Sequence, residues 1–179
     1  MDLGLRRFRL SLAILLIVGA AQVSEAGIKS ERLLAAILRH TPSPRLVAEG
    51  EQLKQAEAVA ASVPGAQALW GVGSSMEPLY ASNTAVVVTA IDFEAIRKGM
   101  TVVYLKRNGR RVAHSVVGET RGGFIVQGIN NDQEDAELVT SENYIGVITE
   151  AYASADSAFR SDLTRRLTSK PADRGVGRG

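Results

Sequence analysis

From residue 85 onward the chain is cut into short apolar runs at close intervals, and this rhythm constrains the fold more than any other feature. AVVVTAI (85–91), TVVYLKR (101–107), RVAHSVVG (111–118), GFIVQGI (123–129) and NYIGVITEAY (143–152) are dense in Val, Ile and aromatic residues. Turn signals separate them. Asn108-Gly109 predicts a two-residue hairpin with positive φ at both positions, and Arg121-Gly122-Gly123 turns the third run into the fourth. Strands this short and frequent predict a mainly β protein, built as a compact bent β-sheet or partial barrel.

Upstream the texture is helical, so one or two helices are expected to precede the sheet. IKSERLLAAILRH (28–40) sets Ile28, Leu33, Leu34, Ile37 and Leu38 near one helical face, and TPSP (41–44) breaks it. RLVAEGEQLKQAEAVAASV (45–63) predicts a second helix, exposed or lightly packed, ending at Pro64-Gly65. It reads as a structural spacer. The N-terminus has its own logic: Arg6, Arg7 and Arg9, then 15 uncharged residues from Leu10 to Ser24, then small residues around Ala26-Gly27. That order predicts a secretory signal peptide cut at Ala26-Gly27, or an uncleaved anchor offering membrane association. The uncharged run is shorter than the roughly 20 residues a spanning helix needs. The expected division is therefore a signal peptide or anchor at 1–26, a helical spacer at 27–69 and the β domain at 70–152. A short helix and a disordered basic tail at 153–179 complete it. The product is expected to be exported, and periplasmic, extracellular or membrane-anchored.

Composition removes several function classes. A length of 179 residues, 45% hydrophobic, suits one domain with accessory segments. The net charge of +2 is not gathered onto one face, and no aromatic-plus-basic ladder is present, so no nucleic-acid partner is expected. The absence of cysteine rules out disulfides, thiolate metal sites and a cysteine nucleophile.

Chemistry concentrates in GVGSSMEPLY (71–80). A serine hydroxyl attacks well only when a neighbouring base takes its proton. The best base on chemical grounds is His114, one of only two histidines; the other, His40, sits in a Pro-rich break. Period-2 geometry puts Val112, His114 and Val116 on one face of their strand, and Ala113 and Ser115 on the other. The loop GINNDQED (128–135) offers Asp132, Glu134 and Asp135 as groups to orient the imidazole. Lys98 and Lys106 are the alternative bases.

GVGSSMEPLY resembles the nucleophile box of signal peptidase I and LexA-type serine peptidases, in which the serine is followed by Met, any residue and often Pro. Further features recur in the same order: a Val-rich strand, KGMTVVYL, a hairpin, RRVAHSVV, GFIVQGINNDQED and NYIGVI. The likeness runs from Val72 to Ile148, nearly half the chain. It implies a fold of the LexA/signal peptidase type. No lysine lies between Lys106 and Lys170, so the chain looks like the histidine-base subgroup typical of archaea and of the endoplasmic-reticulum complex.

That resemblance carries roles residue by residue. Ser75 is the nucleophile, His114 the base, and Asp135 the orienting carboxylate, by register from Gly128. Gly73, Ser74, Met76 and Pro78 form the box around the nucleophile, with Met76 packing inward. The Ser75 N–H is one oxyanion donor, while Gly73 stands where a serine hydroxyl often gives the second. The arginine that usually follows the base is here Ser115. No metal or organic cofactor is implied. The expected activity is cleavage of an extended segment of an exported peptide or precursor protein. The alternative is a catalytically degenerate domain that binds a peptide or protein. A purely structural domain would leave Ser75 and His114 far apart.

Overall fold

Two helices precede most of the sheet, and local chemistry sets where each ends. The computed structural model describes residues 27–28 and 30–154. The expected leader or anchor, and the expected last helix and tail beyond Ser154, lie outside the described residues. Ser30 caps α1 (Glu31–His40), its hydroxyl accepting from the Leu33 N–H at 3.4 Å. The helix stops at Thr41, which is extended as a residue before proline must be. Thr41 donates its hydroxyl to Gly99 O at 2.9 Å and shares a hydrogen bond with Thr101 Oγ1, which in turn bonds Ser115 Oγ. Ile37, fully buried, anchors the helix in the core. Burying such a side chain contributes about 1.5–3 kcal/mol.

The stretch expected to be one helix at 45–63 divides in two. Arg45–Val47 form β1, and only Gln52–Ser62 form α2. The break has a backbone cause: Gly50 has φ +84°, outside the right-handed helical region. Nor is α2 a spacer. Ala56 is fully buried, and with Leu53, Val59 and Ala60 it packs on Ala85, Val87 and Tyr152 of the sheet. A further strand, β2 (Gln67–Trp70), was not anticipated; four residues between turns are too few to display a period.

The remaining strands are β3 (Ala85–Thr89), β4 (Thr101–Leu105), β5 (Arg111–Thr120), β6 (Gly123–Gln127) and β7 (Tyr144–Ser154). A single turn of 3₁₀ helix at Phe93–Ala95 precedes β4. All seven strands join one sheet in the order β2-β3-β7-β4-β5-β6, antiparallel throughout that path, with β1 added parallel to β7. The protein is mainly β, as expected, and its sheet is open, with β2 and β6 at the ends of the path. Register shifts at Val87/Val88, Val103/Tyr104 and Val116/Gly118 mark bulges, which increase local twist and bend the sheet.

Alternation along β4 separates two cores. Val103 faces a cluster containing Ile37, Met76, Leu79, Val88 and Ile148. Val102 and Tyr104 face the other, with Val116, Phe124, Val126 and Val139. Because β3 is covered on both faces, its sequence is a continuous apolar run instead of an alternating one.

The hairpin between β4 and β5 differs from expectation by one residue. Lys106 N–H donates to Arg110 O, and Gly109 N–H to Lys106 O, so Arg107, Asn108 and Gly109 form a three-residue loop. Only Gly109 has positive φ there; Asn108 instead accepts from the Arg110 N–H through its side chain at 3.1 Å. The resulting register sets Tyr104 opposite Val112 and Val102 opposite His114. Both pairs share the face on which His114 lies.

Candidate active site

The turn after Gly73 is exposed on one side and buried on the other, which accounts for its mixed composition. Ser74 is exposed and Ser75 half-buried, while Met76, Leu79 and Tyr80 are buried in the core beneath. Met76 thus packs inward as expected. Hydrogen bonds from the Glu77 N–H to Ser74 O, and from the Leu79 and Tyr80 N–H groups to Met76 O, close the turn. The Glu77–Pro78 peptide bond within it is cis. Tyr80 donates its hydroxyl to Pro42 O at 2.6 Å, tying the turn to the chain after α1.

Gly73 has φ +106° with open space where a Cβ would stand, so the backbone conformation selects glycine there. Its N–H donates to Ser82 Oγ at 2.9 Å and its carbonyl accepts from the same hydroxyl at 3.2 Å. Among the described residues the Ser75 N–H makes no internal hydrogen bond, so it can donate to an incoming carbonyl.

Three side chains from separate segments form one chain of hydrogen bonds. Ser75 Oγ lies 3.0 Å from His114 Nε2, and His114 Nδ1 lies 2.9 Å from Asp135 Oδ2. The imidazole and carboxylate side chains are 7% and 6% exposed, so water competes little for either. Asp135 is fixed by its backbone, whose N–H donates to Val126 O at 2.8 Å. The neighbouring acids do other work or none. Asp132 Oδ1 accepts from the Gly27 N–H at 3.3 Å, and Glu134 is exposed. Of the three candidates, Asp135 is the one that meets His114.

Two further groups, Tyr104 and Lys106, converge on the same carboxylate oxygen. Tyr104 donates its hydroxyl to Asp135 Oδ2, and Lys106 Nζ lies 3.5 Å from it. Burial works against ionisation of Asp135, but hydrogen bonds from His114 and Tyr104, with the charge of Lys106, hold its carboxyl below the ordinary 3.8. Burial and the bond to this carboxylate push the Tyr104 hydroxyl well up, so it stays a protonated donor. Lys106 therefore attends the carboxylate and does not replace His114 beside Ser75. Lys98 and His40 are exposed, and neither has a hydrogen bond to the three side chains. Among the described residues no cluster of His, Asp and Glu could hold a metal ion.

The loop 128–131 carries the nucleophile turn on its back. The Asn130 N–H donates to Ser75 O at 2.8 Å, and Asn130 Nδ2 to Ser74 O at 3.2 Å. A Cβ on Gly128 would stand 2.6 Å from Ser75 O. Gly128→Ala must therefore shift the Ser75 backbone or the loop that holds it, disturbing the fit between the serine and the imidazole. If the triad is catalytic, turnover falls about 10²-fold, the scale for a displacement near 1 Å. Steady-state kinetics beside a thermal melt separates that displacement from unfolding.

Next to Ser75 and His114 opens a groove of about 390 Å³. Leu69, Trp70 and Val72 line one side and Arg110, Arg111 and Ala113 the other. Both sides present strand edges. Gly71 bonds to Thr84 and Asn83 on the β3 side, so ladder parity turns the backbone groups of Trp70 outward. The Lys106–Arg110 and Met100–Val116 bonds turn even-numbered residues of β5 toward β4, leaving Arg111 and Ala113 facing away. β6 pairs with β5 only from Ser115 onward. No family model and no curated protein matches this chain.

Proposed function

We propose that this protein is a serine endopeptidase resembling the histidine-base signal peptidases, acting on an extended segment of an exported protein. One observation carries the reading: Ser75, His114 and Asp135 form a continuous hydrogen-bonded chain beside a groove flanked by two unpaired strand edges. An extended peptide would add as a strand between those edges, main-chain hydrogen bonds holding its scissile carbonyl over Ser75. Ser75 Oγ would attack that carbonyl as His114 Nε2 takes its proton. His114 would return the proton to the leaving amine, and water would release the acyl enzyme by the same exchange. Asp135 would hold the imidazole with its Nδ1–H inward and stabilise the imidazolium. The Ser75 N–H would bind the developing oxyanion, with the Ser74 hydroxyl as candidate second donor. Export or anchoring through residues 1–26 belongs to the same proposal.

The test is direct. The purified full-length protein is incubated with candidate exported precursors and with extended peptides drawn from them, and products are identified by mass. Cleavage at a fixed bond by the wild type, absent in Ser75→Ala, is the expected result. Cleavage equal in both proteins, or in neither, defeats the proposal.

A further inference from the structure

The groove wall contains a charge imbalance that the hydrolytic machinery does not use. Lys106, Arg110 and Arg111 line it, against a single carboxylate, Asp135. That carboxylate is fully engaged by His114, Tyr104 and Lys106. Among the described residues neither Arg110 nor Arg111 forms an ion pair. Glu137, in the segment between β6 and β7, accepts from the Arg107 backbone N–H at 2.9 Å. Two guanidinium groups thus border the groove with no carboxylate partner of their own. Elsewhere Leu69, Val86, Val103 and Ile148 give the wall an apolar stretch, beside the polar Thr84, Asn108 and Asn131.

We propose that this groove selects extended peptides that place an acidic side chain against Arg110 and Arg111. This selectivity deepens the peptidase reading and rests on it. The position follows from strand geometry. Arg111 precedes His114 by three residues, so the acid sits about 10 Å along the peptide from the reacting carbonyl, at about 3.3 Å per residue. A guanidinium presents a planar fork that a carboxylate fills bidentately, so an Asp or Glu side chain is the matching group. The side chains nearer the reacting carbonyl meet the apolar stretch.

The experiment uses full-length Ser75→Ala protein, so that binding is read without turnover. Short extended peptides, identical except for one Glu or Gln walked along the sequence, are titrated by fluorescence anisotropy. The expected result is one register at which Glu binds about fivefold tighter than Gln, the upper range for an exposed pair. The advantage shrinks as salt rises. The double variant Arg110→Glu/Arg111→Glu, made in the same background, reverses the preference so that Lys binds tighter than Glu at that register. Equal binding of Glu and Gln peptides at every register overturns the inference, as does a preference untouched by charge reversal. Cleavage by the wild type is scored separately on the same peptides. Ser75-dependent cleavage without a Glu preference overturns the acidic selectivity alone. A Glu preference without cleavage overturns the peptidase reading and leaves an acidic-peptide binder.

Discussion

Asp135→Asn lowers kcat about 10⁴-fold, with little change in KM and the fold retained, if the proposed roles are right. The geometry explains why so small a change costs so much. Asp135 Oδ2 accepts from three donors at once: His114 Nδ1, the Tyr104 hydroxyl and Lys106 Nζ. An amide oxygen can still sit where these three donors meet, but it carries no charge. His114 would then become positive on taking the Ser75 proton with no anion beside it and with the Lys106 ammonium nearby. A fall of less than about tenfold in peptide turnover would show that Asp135 does not stabilise the imidazolium.

The same substitution has a stability signature that a merely structural carboxylate without these donors would lack. The folded-state carboxyl of Asp135 is held below 3.8. Its contribution is therefore fully present above that value and is lost as pH falls through the lowered folded value. Urea unfolding followed between about pH 5 and pH 2 should lose stability less steeply in Asp135→Asn than in the wild type. The comparison cancels every other carboxylate.

Much of this arrangement can be read in the sequence, and the gaps have physical causes. The five apolar runs from 85 to 152 each contain a strand, because burial on a pleated surface needs the residues they contain. Loop chemistry offered Asp132, Glu134 and Asp135 alike; the resemblance singled out Asp135 beside Ser75 and His114, and the fold brings these three together. Tyr104 was missed for a specific reason. A two-residue turn at Asn108-Gly109 would set Val103 opposite His114 and put Tyr104 on the other face. The extra loop residue, Arg107, moves the register by one and brings Tyr104 to the His114 side. A single turn type thus decided whether a neighbour of Asp135 was visible. β1 and β2 were hidden differently. Each is three or four residues long and is held by pairing to distant strands, which local pattern does not report.

If the proposed peptidase reading is right, Ser75→Ala and His114→Ala each reduce peptide cleavage by about 10⁶-fold, and the double variant falls no further than either alone. The non-additivity carries the argument, because it separates a catalytic pair from two independent structural residues. Ser75 Oγ makes its hydrogen bond to His114 Nε2, so a turn-forming role would leave cleavage untouched when it is removed. His114 is buried between that hydroxyl and Asp135, and its loss leaves Asp135 with Tyr104 and Lys106. His114→Ala should therefore also cost about 1–3 kcal/mol of stability, whereas Ser75→Ala should cost under about 1 kcal/mol. Two residues acting independently would multiply their losses and track stability. A nucleophile and its base share one proton transfer, so removing either already removes all that the other supplies. Multiplied losses in the double variant, read from single-turnover rates, would break the assignment.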